Sequence, residues 1–468
     1  MTILVRPPWR PDIRAVVRVR NSSISAVPDT SSSLSISRKL TMEAPLKTEY
    51  KPMVAGRETR TPHSGYHFDG TSRQFFEGWY VQVVLPDVKQ SFAWMYTSEN
   101  PGSPVAGSVS AGSTSQSGAA QVMGADEEYL YQDASTLKNF WAARHELALG
   151  NTYIPKEGVA PPKSEVNSKE FWDSVEEGYQ VTPTWHQGCL RDNGRTDFAT
   201  TVETIRWEYS TRPVYGWGSV GDSQLSTAGW LAIMPVFEPH WQICMASGLS
   251  TGWIEWGGRR FEFEDAPSYC EKNWGGSFPQ KWFWLQCTVF DGFSGEVALT
   301  AGGGRRGLPL FKNAYEDIAL IGLHFQGKFY EFVPWKGKVE WEIAPWGSWK
   351  MTAQSLTHEV KLEATTDTPG CRLRCPVPEG FLPLCTDSFS GKLKLQLWER
   401  HANGSLGKML LETTSSMCAV ETGGPDGAWK ETWTGKAMMK QPFKALLQLP
   451  INPDKIYNWV PSLKPPGY

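Results

Sequence analysis

The chain has 468 residues, a net charge of −3 and a 40% hydrophobic share, a soluble globular composition with room for about two to three domains. No apolar run approaches the roughly 20 residues of a membrane-spanning helix; the longest candidate, residues 229–237 (GWLAIMPVF), is broken by Pro235. Aromatic residues are in excess, with 23 Trp, 21 Phe and 15 Tyr beside 44 Gly and 33 Pro, a mixture that favours strands and turns over long helices.

Residues 1–42 carry Arg6, Arg10, Arg14, Arg18, Arg20, Arg38 and Lys39 against Asp12 and Asp29, and eight Ser fall between Ser22 and Ser37. An Arg- and Ser-rich, acid-poor start has the composition of an organelle transit peptide. Residues 1–45 are therefore expected to be a leader or a disordered tail. The remainder is net acidic and lacks the basic footprint of a nucleic-acid partner. Eight cysteines without a CxxC or a regular framework point to free thiols rather than a disulfide scaffold or a zinc site.

From Pro62 to Tyr96, two aromatic runs flank Pro86-Asp87, a strand–turn–strand signal. Residues 97–128 turn Gly-, Ser- and Ala-rich and read as a flexible insertion. Asn167 followed by Glu170, with Gly178 beyond, predicts a short helix over residues 168–177. Leu393, Leu395 and Leu397 alternate with Lys392, Lys394 and Gln396; Val339, Trp341 and Ile343 follow the same period of two, as do Val360, Leu362 and Ala364. That alternation belongs to antiparallel walls with one wet face. A weak echo between residues 75–96 and 278–300 suggests two similar β units. The expected fold is all-β with minor α: two tandem antiparallel lipocalin-like barrels or sandwiches, over residues 60–276 and 277–468. A barrel of about eight strands has room for one small apolar ligand.

GGGRRG at residues 302–307 matches GxGxxG, but Pro309 follows and no helix is signalled, so a Gly-rich turn is expected rather than a dinucleotide site. The densest chemistry lies in residues 229–276, which hold Glu238, His240, Trp241, Trp253, Glu255, Trp256, Tyr269, Glu271 and Trp274. A carboxyl inside an aromatic, desolvated cavity stays protonated near neutrality and can protonate an alkene. Facing Trp rings stabilise the resulting cation through their negative π faces. The bland alternative pairs a buried Glu with Arg259 or Arg260. A non-catalytic isoprenoid or lipid carrier would need the same apolar pocket, but not a protonated carboxyl.

PHSGYHFDGTSRQFFEGWY, FWAARHELALGNTY, GYQVTPTWHQG, RWEYSTRPVYGWG, VFEPHWQICMA, LSTGWIEWGGRRFEFEDAPSYCEKNWGG, YEFVPW and LKLQLWER resemble the tocopherol cyclases of photosynthetic organisms, from about Pro62 onward. Residues 103–120 and GGPDGAW at 423–429 depart from that pattern. The resemblance implies a cofactor- and metal-independent enzyme that closes the chromanol ring of a methylated phytyl benzoquinol, in the chloroplast and at plastoglobule surfaces. Tyr269, Glu271 and Trp274 are also similar to the Tyr-x-Asp-His-x-Trp-Gly motif of bacterial carotenoid hydratases, with Lys272 in place of the His. Phe76 to Tyr80 resembles an aromatic Glu-Trp-Trp-Tyr run of that group, with Gly78 departing.

These resemblances imply Glu271 as the acid, with Tyr269 or His240 managing the phenol proton; a structural His240 is the alternative. Trp274, Trp241, Trp256, Trp79, Glu77, Asp69 and His67 are the expected substrate-binding residues, the last three being the ones most open to a purely structural role. Residues 443–465 are a candidate lipid-facing segment, interrupted by Pro450, Pro453 and Pro461.

Overall fold

Aromatic and β-branched runs punctuated by Gly, Pro and Asp turns fold, among the described residues, into 23 strands and little helix. The computed structural model describes residues 16–21, 60–104, 115–193, 202–229, 232, 238–307, 314–439, 444 and 453–468. The first sheet holds β1 (Val16–Asn21), β2 (Phe76–Leu85), β3 (Gln90–Glu99), β4 (Ser117–Met123), β5 (Tyr129–Ala134), β6 (Phe140–Ala142), β7 (Leu149–Pro155), β8 (Val175–Val181), β9 (Trp185–Arg191), β10 (Thr204–Tyr215), β11 (His240–Trp256) and β12 (Arg259–Gly275). Its order is β5-β4-β3-β2-β12-β11-β10-β9-β8-β7-β6, with β1 added to β12. The second sheet holds β13 (Lys281–Phe290), β14 (Phe293–Gly307), β15 (Tyr315–Phe325), β16 (Lys328–Phe332), β17 (Lys338–Ile343), β18 (Ser348–Gln354), β19 (His358–Thr365), β20 (Cys371–Val377), β21 (Gly380–Arg400), β22 (Leu406–Gly423) and β23 (Trp433–Ala437). Its order is β16-β15-β14-β13-β22-β21-β19-β18-β17-β23, with β20 beside β21.

Every pairing is antiparallel, and both sheets curl. In the first, the Arg191 N–H of β9 donates to the Gln132 side chain of β5 at 3.0 Å. In the second, the Trp433 indole of β23 reaches Asp317 of β15 at 3.3 Å. The two echoing segments become the β2–β3 and β13–β14 hairpins. Each pairs with a later strand of its own sheet, β2 with β12 and β13 with β22.

Alternation along the strands creates three apolar layers. Val81, Trp94, Trp207, Trp256 and Cys270 fill the inside of the first sheet. Phe283, Leu285, Trp341, Trp349, Leu395 and Val420 fill the second. A third layer joins outward-facing residues of both: Tyr80, Ile243 and Tyr269 from the first sheet, and Trp282, Trp284, Leu320 and Ala419 from the second. Leu393, Leu395 and Leu397 are buried while Lys392 and Lys394 are exposed, as their period of two predicts. Strand β13 lacks that contrast because both of its faces are covered.

Several local expectations change. Asn167 does cap a helix, accepting from the Glu170 N–H at 3.0 Å, but α1 (Ser168–Ser174) stops before β8 begins at Val175. Residues 175–181 pair with β7 and β9, and these sheet bonds outcompete another helical turn. The expected flexible stretch 97–128 contains the end of β3, all of β4 and a 3-10 turn at Ala125–Glu127. Its small residues fit between β3 and β5, where Gly118, Ala119 and Ala120 are buried. GGGRRG is not a turn: it ends β14, paired with β13 and β15. A Cβ on Gly302 would lie 3.1 Å from the Trp241 ring, and one on Gly303 2.8 Å from Ala319 and Phe283. The glycines make room for these neighbours.

Of the expected leader, only residues 16–21 are described, as β1 along residues 259–264. Residues 230–231, 233–237, 440–443 and 445–452 lie outside the described set. The C-terminal stretch forms a short helix at Pro453–Trp459, with Ile456, Trp459 and Leu463 exposed. Its last residues return to the first sheet, where Gly65 N–H donates to Gly467 O and Gly467 N–H to Arg144 O, both at 2.9 Å.

The two sheets also interlock at Trp217, which is fully buried against Gly322 of β15 and meets Phe329 edge-on at 4.7 Å. A Cβ on Gly322 would lie 2.0 Å from the indole. Gly322→Ala is expected to cost about 1–3 kcal/mol through overpacking, read as a lower midpoint in urea unfolding. A change below about 0.5 kcal/mol, the usual scale of an unremarkable surface substitution, would show that the indole yields freely.

Candidate active site

The third apolar layer contains a cavity of about 240 Å³. Trp79, Tyr80, His240, Trp241 and Glu271 reach it from the first sheet; Trp282, Trp284, Gly302, Arg306 and Glu421 reach it from the second. Aromatic and small apolar residues make most of the wall, interrupted by the carboxyls of Glu271 and Glu421 and by Arg306 and Arg374.

Glu271 lies on β12 between Tyr80 of β2 and Ile243 of β11. Its Oε2 accepts the Tyr269 hydroxyl at 2.5 Å and the Trp284 indole N–H at 3.0 Å. Burial pushes its pKa up to about 7, against the opposing effect of the Tyr269, Trp241 and Trp284 donors and with a further upward push from Glu421. Against an ordinary value of 4.5, that amounts to about 3 kcal/mol disfavouring the charged form. A carboxyl so placed is substantially protonated at neutral pH and can act as a general acid.

Glu421 occupies the corresponding place on the second sheet. The Trp282 indole N–H donates to it, and burial likewise raises its pKa to about 7. Asp387 of β21 is its direct cross-strand neighbour. Asp387 is fully buried, and burial with the neighbouring acids pushes its pKa well up, against the opposing effect of the Ser388 backbone N–H. His240, the cross-strand partner of Trp274, stacks on it at 4.8 Å at the border of the cavity, and burial lowers its pKa to about 4, so it is a neutral imidazole.

The other face of β12 solves its electrostatics differently. Successive side chains point to opposite sides of a strand, so Lys272 and Trp274 face away from Glu271. Lys272, fully buried, pairs with Glu77 and donates to Gly65 O. Glu77 also accepts from the His67 backbone N–H at 2.8 Å and lies 3.0 Å from its Nδ1. Trp274 stacks on His67 at 3.8 Å. Burial and the neighbouring cation hold His67 well below its usual pKa, hence neutral.

The structure thus brings Glu271 and Trp241 together at the cavity, with Tyr269 holding the acid from beside it; His240 and Trp79 also border it, but the Trp79 ring packs inside the first sheet, on the Lys272 side of β12. Trp274, Glu77 and His67 form the separate buried cluster and do not line it. Trp256 is inside the first sheet, with its indole on Glu128 at 3.0 Å. Asp69 is exposed and ties Thr71 into a turn. The odd spacing of Glu271 and Trp274 already carried the signal that one strand presents them to opposite sides. Sequence reasoning missed Glu421, Trp282, Trp284, Tyr80 and Asp387. The WFW run puts Trp282 and Trp284 on one face of β13, but no local pattern joins Glu421 to Glu271 across 150 residues.

The sequence pattern described as tocopherol cyclase-like matches residues 73–424. The chain is 54% identical over 423 residues to "Probable tocopherol cyclase, chloroplastic" of Oryza sativa subsp. japonica, covering 89% of each. It is 51% identical over 453 residues to "Tocopherol cyclase, chloroplastic" of Zea mays, covering 96% of this chain and 94% of the relative. Among solved structures, that of CghA aligns at a TM-score of 0.44 and 10% identity, over 76% of this chain and 89% of the other.

Truncating one member of a buried ion pair strands its partner. Lys272→Ala is therefore expected to destabilise the protein by about 3–5 kcal/mol in denaturant unfolding, and the pair replacement Lys272→Met with Glu77→Leu to recover part of that loss. A single-variant loss below about 1 kcal/mol, the scale of an exposed ion pair, would contradict a buried charge pair.

Proposed function

The chain belongs to the tocopherol cyclase-like family, and from that premise we propose that it is a tocopherol cyclase working by acid catalysis within the cavity between the two sheets. The substrate is a methylated phytyl benzoquinol, isomerised to a chromanol. The observation that carries the mechanism is Glu271: a buried carboxyl with a pKa pushed to about 7, facing an aromatic cavity.

Glu271 gives its proton to the prenyl double bond at the carbon nearer the ring, leaving a tertiary cation at the next carbon. Tyr269 and Trp284 both engage Oε2, so Oε1 is the oxygen assigned to the proton. Trp241, Trp282 and Trp284 present their rings to the cation. The phenol oxygen, held nearby, attacks it; intramolecular placement removes the entropy loss of bringing two molecules together. Neutral His240 supplies a hydrogen bond to a ring hydroxyl. Water must stay out, because its capture of the cation would give an open-chain alcohol. The chemistry calls for no redox step and leaves no other product, so the enzyme is an intramolecular lyase that works without a cofactor or metal.

The relatives named chloroplastic support a chloroplast enzyme; the Arg- and Ser-rich start then acts as its transit peptide, and the insoluble substrate places it peripherally at plastoglobule surfaces.

Anaerobic incubation of a form lacking residues 1–45 with a dimethylated phytyl benzoquinol, with no cofactor or metal added, is expected to yield chromanol as one stereoisomer. Tight retention of the quinol without turnover would favour a carrier instead. Glu271→Gln should keep quinol binding and lose at least about 100-fold in kcat, the lower range for a general acid. Since the acid must be protonated, kcat should fall as pH rises through about 7. Normal turnover by Glu271→Gln would remove this residue from the mechanism.

A further inference from the structure

We propose that Glu421 is the second reacting carboxyl of this site, the base that takes the phenol proton as the ring closes. The inference rests on the cyclase reading above and extends it to a residue on the opposite sheet.

Three observations carry it. First, Glu421 lines the same cavity as Glu271, from the other wall. Second, β13 holds both acids: Trp284 donates its indole N–H to Glu271, and Trp282 donates to Glu421. These Trp residues are two apart on one face, which sets their Cα atoms about 7 Å apart. A closing ring fits that frame, because acid to alkene carbon and base to phenol oxygen are each contacts of about 3 Å. Third, Tyr80 lines this space, and its hydroxyl is buried, has no hydrogen-bond partner and responds to the charges of Glu271, Glu421 and Asp387. A buried phenol with an unused hydroxyl among three acids marks a place for a polar group of the substrate.

The division of labour follows from charge. Two desolvated carboxyls within electrostatic reach of each other resist being ionised together, so the pair holds one proton over an intermediate range of pH. Asp387, behind Glu421, is pushed up by burial and by Glu421, Glu127 and Glu271, with only the Ser388 backbone N–H opposing them, so it stays neutral; Glu421, which has both the Trp282 and the Cys385 donors, is the group left to ionise.

In the reaction, the Glu271 O–H bond breaks and the alkene π pair forms the new C–H bond. A phenol oxygen lone pair then forms the C–O bond, the phenol O–H bond breaks, and its proton passes to the Glu421 carboxylate. Transfer of that proton back to Glu271 restores the starting state, so the substrate is isomerised and the protein unchanged.

The test is the pH dependence of kcat for the full protein and for Glu421→Gln, with a dimethylated phytyl benzoquinol. The unaltered enzyme should give a bell-shaped profile, its acidic limb reporting ionisation within the pair. Glu421→Gln should lose about 100-fold or more in kcat, keep quinol binding, and lose the acidic limb while retaining the fall at high pH. A purely structural role would lower the profile without removing one limb. Should Glu421→Gln fail to fold, Trp282→Phe decides: loss of a donor that favours the Glu421 anion should move the acidic limb up by about 1 to 2 pH units. An unshifted limb there, or an intact bell in Glu421→Gln, would overturn the role of Glu421 alone. No chromanol from the unaltered protein would overturn the cyclase reading, and this inference with it.

Discussion

Everything in this molecule depends on two curled sheets packing through their outer faces. Each sheet already has a filled interior, so its walls would ordinarily present polar residues outward. Here β2, β11 and β12 meet β13, β14 and β22 through Tyr80, Ile243, Tyr269, Trp282 and Trp284, which produces a third apolar layer with a cavity in it. Water is removed from both sides of the central strands. A carboxyl on those strands therefore resists ionisation, which is the property the proposed acid chemistry requires near neutral pH.

Strand β13 connects the parts. Phe283 and Leu285 anchor its inner face in the second sheet. Trp282 and Trp284 reach across the outer face, supply ring surface to the cavity and donate their N–H groups to Glu421 and Glu271. Those donors soften the desolvation of each acid without cancelling it, and both pKa values settle at about 7. On the neighbouring β14, Gly302 and Gly303 leave room for the Trp241 and Phe283 rings. Shape and proton affinity thus come from the same few residues.

The two faces of β12 show how local a carboxyl's behaviour is. Glu271 has only neutral donors and remains an acid. On the opposite side, Lys272 sits against Glu77, with its ammonium also over the rings of Trp79 and Trp274 at 5.4 Å. That pair is satisfied by His67 and Gly65 and anchors the segment 62–67, where the chain's last residues also pack. One strand accordingly carries a carboxyl that resists ionisation and a structural ion-pair cluster, separated by a single backbone.

By itself, the sequence determined the all-β class, the paired hairpins, the alternation of Leu393, Leu395 and Leu397, the Asn167 helix start, and Glu271 as a carboxyl among aromatics. Each of these is written within a few residues, because strand period, capping and local composition act over short distances. Only tertiary structure decided which aromatics share a cavity. Trp274 and Trp256 are near Glu271 in the chain or in motif, yet strand parity turns them away; Trp284, Trp282 and Glu421 are remote, yet sheet packing brings them in. The Gly-rich stretch at 302–307 and small residues at 117–120 became strands for the same reason, since neighbouring strands supplied the hydrogen bonds that their own propensities do not favour. Burial is a property of what lands on the far side of a strand, and for this protein that partner is another sheet.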